Sequence, residues 1–118
     1  MNEHSSVTGG LAEFLKDVGM YKDVISYKLS ENISEEQLLN VANDIAKNWM
    51  SKQSGFIKWE IHKNNDGGYT DIVYWKSKDD AKKAEADMVN IPNANEWYSC
   101  YEEGSISSKN LIQVATFH

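Results

Sequence analysis

Two spacings alternate along this chain. Apolar residues recur every second position in residues 23–29 (DVISYKL), 55–63 (GFIKWEIHK), 69–76 and 110–117 (NLIQVATF), which predicts four strands. Between the first two strands, Leu38, Leu39, Val41, Ala42, Ile45, Ala46, Trp49 and Met50 follow the helical period behind the capping box Ser34-Glu-Glu-Gln37, with Gly55 as the expected stop. After the third strand, Ser77 with Asp80 repeats the capping pattern, and Ala81, Ala84 and Met88 give a second helix a narrow apolar face of small residues. Pro92 interrupts the pattern, and residues 93–103 predict a short helix with Trp97, Cys100 and Tyr101 inward.

Residues 64–68 (NNDGG) supply the side chains that tolerate positive φ, so the second and third strands form a β-hairpin. Nearer the start, Leu11, Phe14, Leu15 and Val18 make a short apolar stripe that ends at Gly19. A helix that short must dock on its own domain, on a partner or over a pocket mouth. The domain reading is an N-terminal extension over residues 1–21 and one folded domain over residues 22–118.

The order βαββαβ predicts an α+β, ferredoxin-like fold: a four-stranded antiparallel sheet with both main helices on one face, plus the extra N-terminal helix. The strands carry bulky groups on both sides, Val24 with Ile25, Phe56 with Ile57, Tyr74 with Trp75 and Val114 with Phe117. The face without helices therefore calls for cover, and the sheet of a second copy is the economical one.

Charge narrows the partners. A net charge of −6 with no Lys/Arg-rich run argues against nucleic acid. No window approaches the roughly 18 apolar residues needed to cross a bilayer, so no membrane partner is expected, and a cytoplasmic location is the default. Cys100 is the single cysteine, which excludes an internal disulfide and any multi-cysteine metal site. No His/Asp/Glu spacing suggests a metal, and no cofactor motif is present.

The run GFIKWEIHK, the hairpin after it and DIVYWKSKDDAKKA (residues 71–84) together resemble the dimeric α+β barrel superfamily, most of all its antibiotic-biosynthesis monooxygenase-type branch. In that branch the third strand commonly ends in a tryptophan followed by a Ser-capped helix, here Trp75 and Ser77, and the resemblance spans residues 22–117. It implies a homodimer whose sheets face each other as a barrel, with a pocket between sheet and helices in each subunit. Its members include cofactor-independent oxygenases, haem-degrading oxygenases, small decarboxylases and cyclases, and proteins of unassigned activity, so fold argues little about reaction. The haem-degrading branch uses an Asn on the first strand and a His on the second main helix. This chain offers Ser26, Tyr27 and Lys28 on the strand, and Ala84 and Glu85 about where the histidine would stand, which disfavours haem ligation.

Trp75 matches the family's pocket tryptophan. It either forms a flat wall for a planar ligand or plugs the core between strand and helix. Tyr27, Tyr74 and Trp97 are further amphipathic aromatics suited to a pocket or to a dimer core. Lys58, Glu60 and His62 share one strand face. If that face lines the pocket, a half-buried Glu60 with a raised pKa could take a proton while His62 or Lys58 holds the anion; otherwise the three are a surface charge pair and its neighbour. The combined expectation is a small homodimeric barrel that binds a small organic molecule, aromatic ones included, with no cofactor. The alternative is a cofactor-independent monooxygenase acting on a phenolic or polyketide-like substrate.

Overall fold

The structure, a computed structural model, describes residues 19–118. The predicted N-terminal helix lies outside them. The elements run β1 (Tyr21–Tyr27), α1 (Glu35–Asn48), a 3₁₀ turn (Met50–Lys52), β2 (Phe56–Lys63), β3 (Tyr69–Trp75), α2 (Lys78–Asp87), a second 3₁₀ turn (Met88–Asn90), α3 (Ala94–Ser99) and β4 (Ser107–Ile112). The strands form one antiparallel sheet in the order β2-β3-β1-β4, with the helices on one face, the ferredoxin-like arrangement the element order predicts.

Both main helices start as their sequences dictate. Ser34 Oγ accepts from the Gln37 N–H at 3.1 Å while the Gln37 side chain accepts from the Ser34 N–H at 2.8 Å, so two otherwise unpaired amides are satisfied. Ser77 caps α2 through the Asp80 N–H at 3.2 Å. The end of α1 differs from expectation: it stops at Trp49 (φ −136°), well before Gly55. Gly55 (φ +76°) instead turns the chain into β2, where its carbonyl accepts from the Lys76 N–H at 2.8 Å.

Strand pairing moves two further boundaries. β1 begins at Tyr21, opposite Trp75, and ends at Tyr27, opposite Tyr69, because β3 has no residue beyond the hairpin to pair with Lys28 or Leu29. β4 is likewise Ser107–Ile112 rather than residues 110–117, since β1 runs out of ladder partners at Tyr21. Beyond it, Val114 and Phe117 are exposed.

The largest correction is in β2. A bulge between Phe56 and Lys58 leaves Ile57 without a partner and turns Phe56 to the same side as Trp59 and Ile61. There its ring meets Trp75 edge-on at 5.8 Å, instead of joining Lys58, Glu60 and His62.

Between sheet and helices sit two clusters. Tyr21, Val73 and Trp75 pack with Ile45, Trp49, Met50, Ala81 and Ala84, while Tyr27 and Tyr69 pack with Leu38 and Cys100. Residues of the two central strands thus alternate between this face and an open one that carries Lys22, Val24, Ser26, Thr70, Ile72 and Tyr74.

Candidate ligand cavity

A cavity of about 370 Å³ lies between the sheet and the helices. Its roof is lined by Ala81, Ala84 and Met88, and the space exists because the alanines fill so little of it. Its aromatic lining includes Trp59, Trp75, Trp97 and Tyr101. Trp59 and Trp97 stand 5.8 Å apart at 56°, and Trp97 meets Tyr101 edge-on at 6.2 Å.

The floor is polar. Asp23 on β1 and Asp71 on β3 both line the cavity. In the ladder Asp23 faces Val73 and Asp71 faces Ile25, so the two carboxylates are diagonal neighbours on one side of the sheet. Each takes an indole: Trp75 Nε1 donates to Asp23 Oδ2 at 3.1 Å, and Trp59 Nε1 donates to Asp71 Oδ2 at 3.1 Å. The Tyr27 hydroxyl completes Asp71 by donating to Oδ1 at 2.7 Å. The Asn110 carboxamide, with its NH₂ toward Asp23, donates to Oδ1 at 2.8 Å and accepts from the Tyr21 hydroxyl at 2.8 Å.

These carboxyls titrate high. Burial pushes Asp71 up to about 6, against the opposing hydrogen bonds from Tyr27 and Trp59. Burial also raises Asp23, the Trp75 hydrogen bond opposes that, Glu85 adds to it and Lys82 offsets it. Tyr27 and Tyr101 are raised above the ordinary phenol range, chiefly by burial and then by the charge of Asp71. The buried Trp97 N–H lies beside Tyr101, opposing the rise of its phenol, without reaching full hydrogen-bond geometry.

Of the residues singled out from sequence, Trp75 and Trp97 line this cavity, and Tyr27 lies behind it as a donor to Asp71. Lys58, Glu60, His62 and Tyr74 do not line it; they gather on the open face. Glu60 accepts from the Tyr74 hydroxyl at 2.8 Å and pairs with Lys58 and His62 at 3.2 Å each, and the Lys58 ammonium lies 4.6 Å from the Tyr74 ring centroid. The donors on Glu60, Tyr74 first, then His62 and Lys58, hold its carboxyl down at about 2, the reverse of the raised value expected in a pocket. The structure thus separates Glu60 and His62 from Trp75 and Trp97 by the thickness of the sheet.

Sequence reasoning passed over Asp23 and Asp71 as site residues, although a signal was present. Each sits at an apolar parity of its strand, Asp23 with Ile25 and Tyr27, Asp71 with Val73 and Trp75, and a charge on the core side of a strand is anomalous unless it is used. Among the described residues, no group of three or more His, Cys, Asp or Glu is placed to hold a metal, and no helix is long and apolar enough to cross a membrane.

Solved structures share this architecture. A monooxygenase encoded by ActVA-Orf6 of Streptomyces coelicolor, in complex with Nanaomycin D, superposes with a TM-score of 0.67 at 16% identity, covering 86% of this chain and 93% of its own. The chain shares the fold of this monooxygenase. SnoaB, a cofactor-independent oxygenase from Streptomyces nogalater, has the same fold with a TM-score of 0.65 at 16% identity, over 81% of this chain and 94% of its own. A candidate antibiotic biosynthesis monooxygenase from Caulobacter crescentus follows it with a TM-score of 0.66 at 17% identity, over 85% and 94%. No protein-family model and no curated protein matches the sequence itself. The shared architecture is the four-stranded antiparallel sheet with helices on one face.

Proposed function

We propose that the protein is a homodimer that binds a small, flat aromatic molecule in the cavity of each subunit. One observation carries this reading: a space of about 370 Å³ lined by four indoles and two phenols, with a few fixed polar groups beneath. That is the composition of a site that stacks on a planar ligand and orients it by hydrogen bonds. The open sheet face supports the dimer, because Val24 and Ile72 pair at its centre beside the Tyr74 ring and form an apolar patch that a second sheet would cover.

A second reading is favoured by Asp71, a carboxylate buried in the cavity floor and titrating near 6. Such a group can take the proton of a bound phenol, and an electron-rich phenolate can itself reduce dioxygen without a cofactor. The protein would then be a monooxygenase of the kind named for SnoaB, acting on a phenolic or polyketide-like substrate.

Titrating the protein with naphthols and hydroxynaphthoquinones while following tryptophan emission tests the first reading. Saturable quenching that weakens in Trp75→Phe is expected; no quenching by any of them sinks it. An oxygen electrode tests the second with the same probes, and uptake no faster than in buffer removes catalysis while leaving binding in place.

A further inference from the structure

Resting on that reading of the cavity, we infer that its floor selects ligands by charge: Asp71 accepts a hydrogen bond from a neutral or cationic donor group on the ligand, and the site rejects anionic ligands.

The polar lining is lopsided. Asp23, Asp71 and Glu85 contribute carboxylates, and Lys82 contributes the one ammonium among the described lining residues. Lys82 is engaged at the rim, 3.4 Å from Glu85, with both side chains more than half exposed, so that pair nearly cancels in water. Asp23 and Asp71 remain in the interior, where charge is poorly screened.

Their partners are all neutral donors: the indoles of Trp59 and Trp75, the hydroxyl of Tyr27 and the carboxamide of Asn110. No cation sits on either carboxylate at hydrogen-bond distance among the described residues. Asp71, only 2% exposed, has one protein donor on each oxygen, and a carboxylate oxygen can accept two. It therefore has acceptor capacity left, on the side of a cavity walled by rings.

A ligand bearing a phenol hydroxyl or an ammonium would use that capacity and add a favourable charge-assisted bond. A ligand carboxylate would meet a like charge on the cavity floor, or bind only with uptake of a proton by Asp71. The Trp97 N–H is buried beside Tyr101, and its single dipole does not offset two carboxylates.

The test uses three probes of equal ring size on the intact protein: naphthalene-2-ol, 2-naphthylmethylammonium and 2-naphthoate, titrated at about pH 7.5. The alcohol and the ammonium are expected to bind at least about tenfold more tightly than the carboxylate, a gap that Asp71→Asn narrows to about threefold or less. Naphthoate binding as tightly as the alcohol overturns the inference and leaves the ligand-binding reading standing. Failure of all three to bind overturns both.

Should Asp71→Asn fail to fold, the wild-type protein supplies the second arm. Lowering the pH through 6 protonates Asp71, so naphthoate should gain affinity and the alcohol should lose it; parallel curves overturn the inference. The groups facing Asp71 are Tyr27 from β1, Trp59 from β2 and Tyr101 after α3, with Asp23 diagonal to it and His62 reaching it only by charge. His62→Gln removes the histidine's influence and leaves the response of Asp71 alone.

Discussion

The Tyr27 hydroxyl donates to Asp71 Oδ1 at 2.7 Å, and both side chains are buried, at 2% exposure each. A neutral donor stabilises a carboxylate less than a cation does, so desolvation wins and the acid titrates near 6. Tyr27→Phe keeps the ring and deletes the donor. At neutral pH it should cost about 1–3 kcal/mol in urea unfolding, and less near pH 5, where Asp71 is largely protonated and needs the bond less.

Asp71 also gives stability a direction in pH. Its carboxyl is raised from 3.8 to about 6, so between those values the folded protein holds a proton that the unfolded chain has released. Its contribution is fully present below 3.8 and is lost as pH rises through 6, by at most about 3 kcal/mol. Glu60 behaves oppositely: held near 2 rather than 4.5, it stabilises above 4.5 and loses that contribution as pH falls toward 2. Denaturant midpoints from pH 3 to 8 should show the decline in wild type and a shallower one in Asp71→Asn, where the raised Asp23 still contributes.

Gly55 is required by both backbone and neighbour. Its φ is +76°, and a Cβ there would fall inside the Asp80 carboxylate, which accepts from the Ser77 hydroxyl at the start of α2. Gly55→Ala should destabilise by about 1–3 kcal/mol, read from thermal or urea unfolding, with Gly67→Ala as comparison because nothing lies within 4 Å of its Cβ position.

The proposed dimer turns on Val24 and Ile72, paired on the open sheet face. Ile72→Lys replaces half of that apolar pair by a strongly hydrated ammonium, directly across from Glu60 on β2, and should shift the protein to monomer in light scattering at micromolar concentration. A wild-type protein that is already monomeric there removes the dimer from the reading.

Much of the fold could be read from the chain before any coordinates. Ser34 with Gln37, Ser77 with Asp80 and the Asn64–Gly68 turn are local chemistries, each settled by residues within a few positions, and each appears in the structure as its sequence implies. The alternating spacing of four segments, taken in order with two helices, was enough for the sheet and for the side on which the helices pack. Strand ends were less legible, because a strand ends where its partner ends: Tyr27 stops opposite Tyr69, and Ile112 opposite Tyr21.

The sequence by itself determined the elements, their caps and their order, since these depend on propensity and spacing over a few residues. Only the tertiary structure decided which side chains share the cavity. One extra residue at Ile57 reverses the facing of Phe56, and strand pairing sends Glu60 and His62 to the open face. The carboxylate pair beneath the indoles joins residues far apart in the chain, 44 positions from Tyr27 to Asp71 and 52 from Asp23 to Trp75. Burial, which raises those carboxyls, belongs to the assembled sheet and helices and to no single segment.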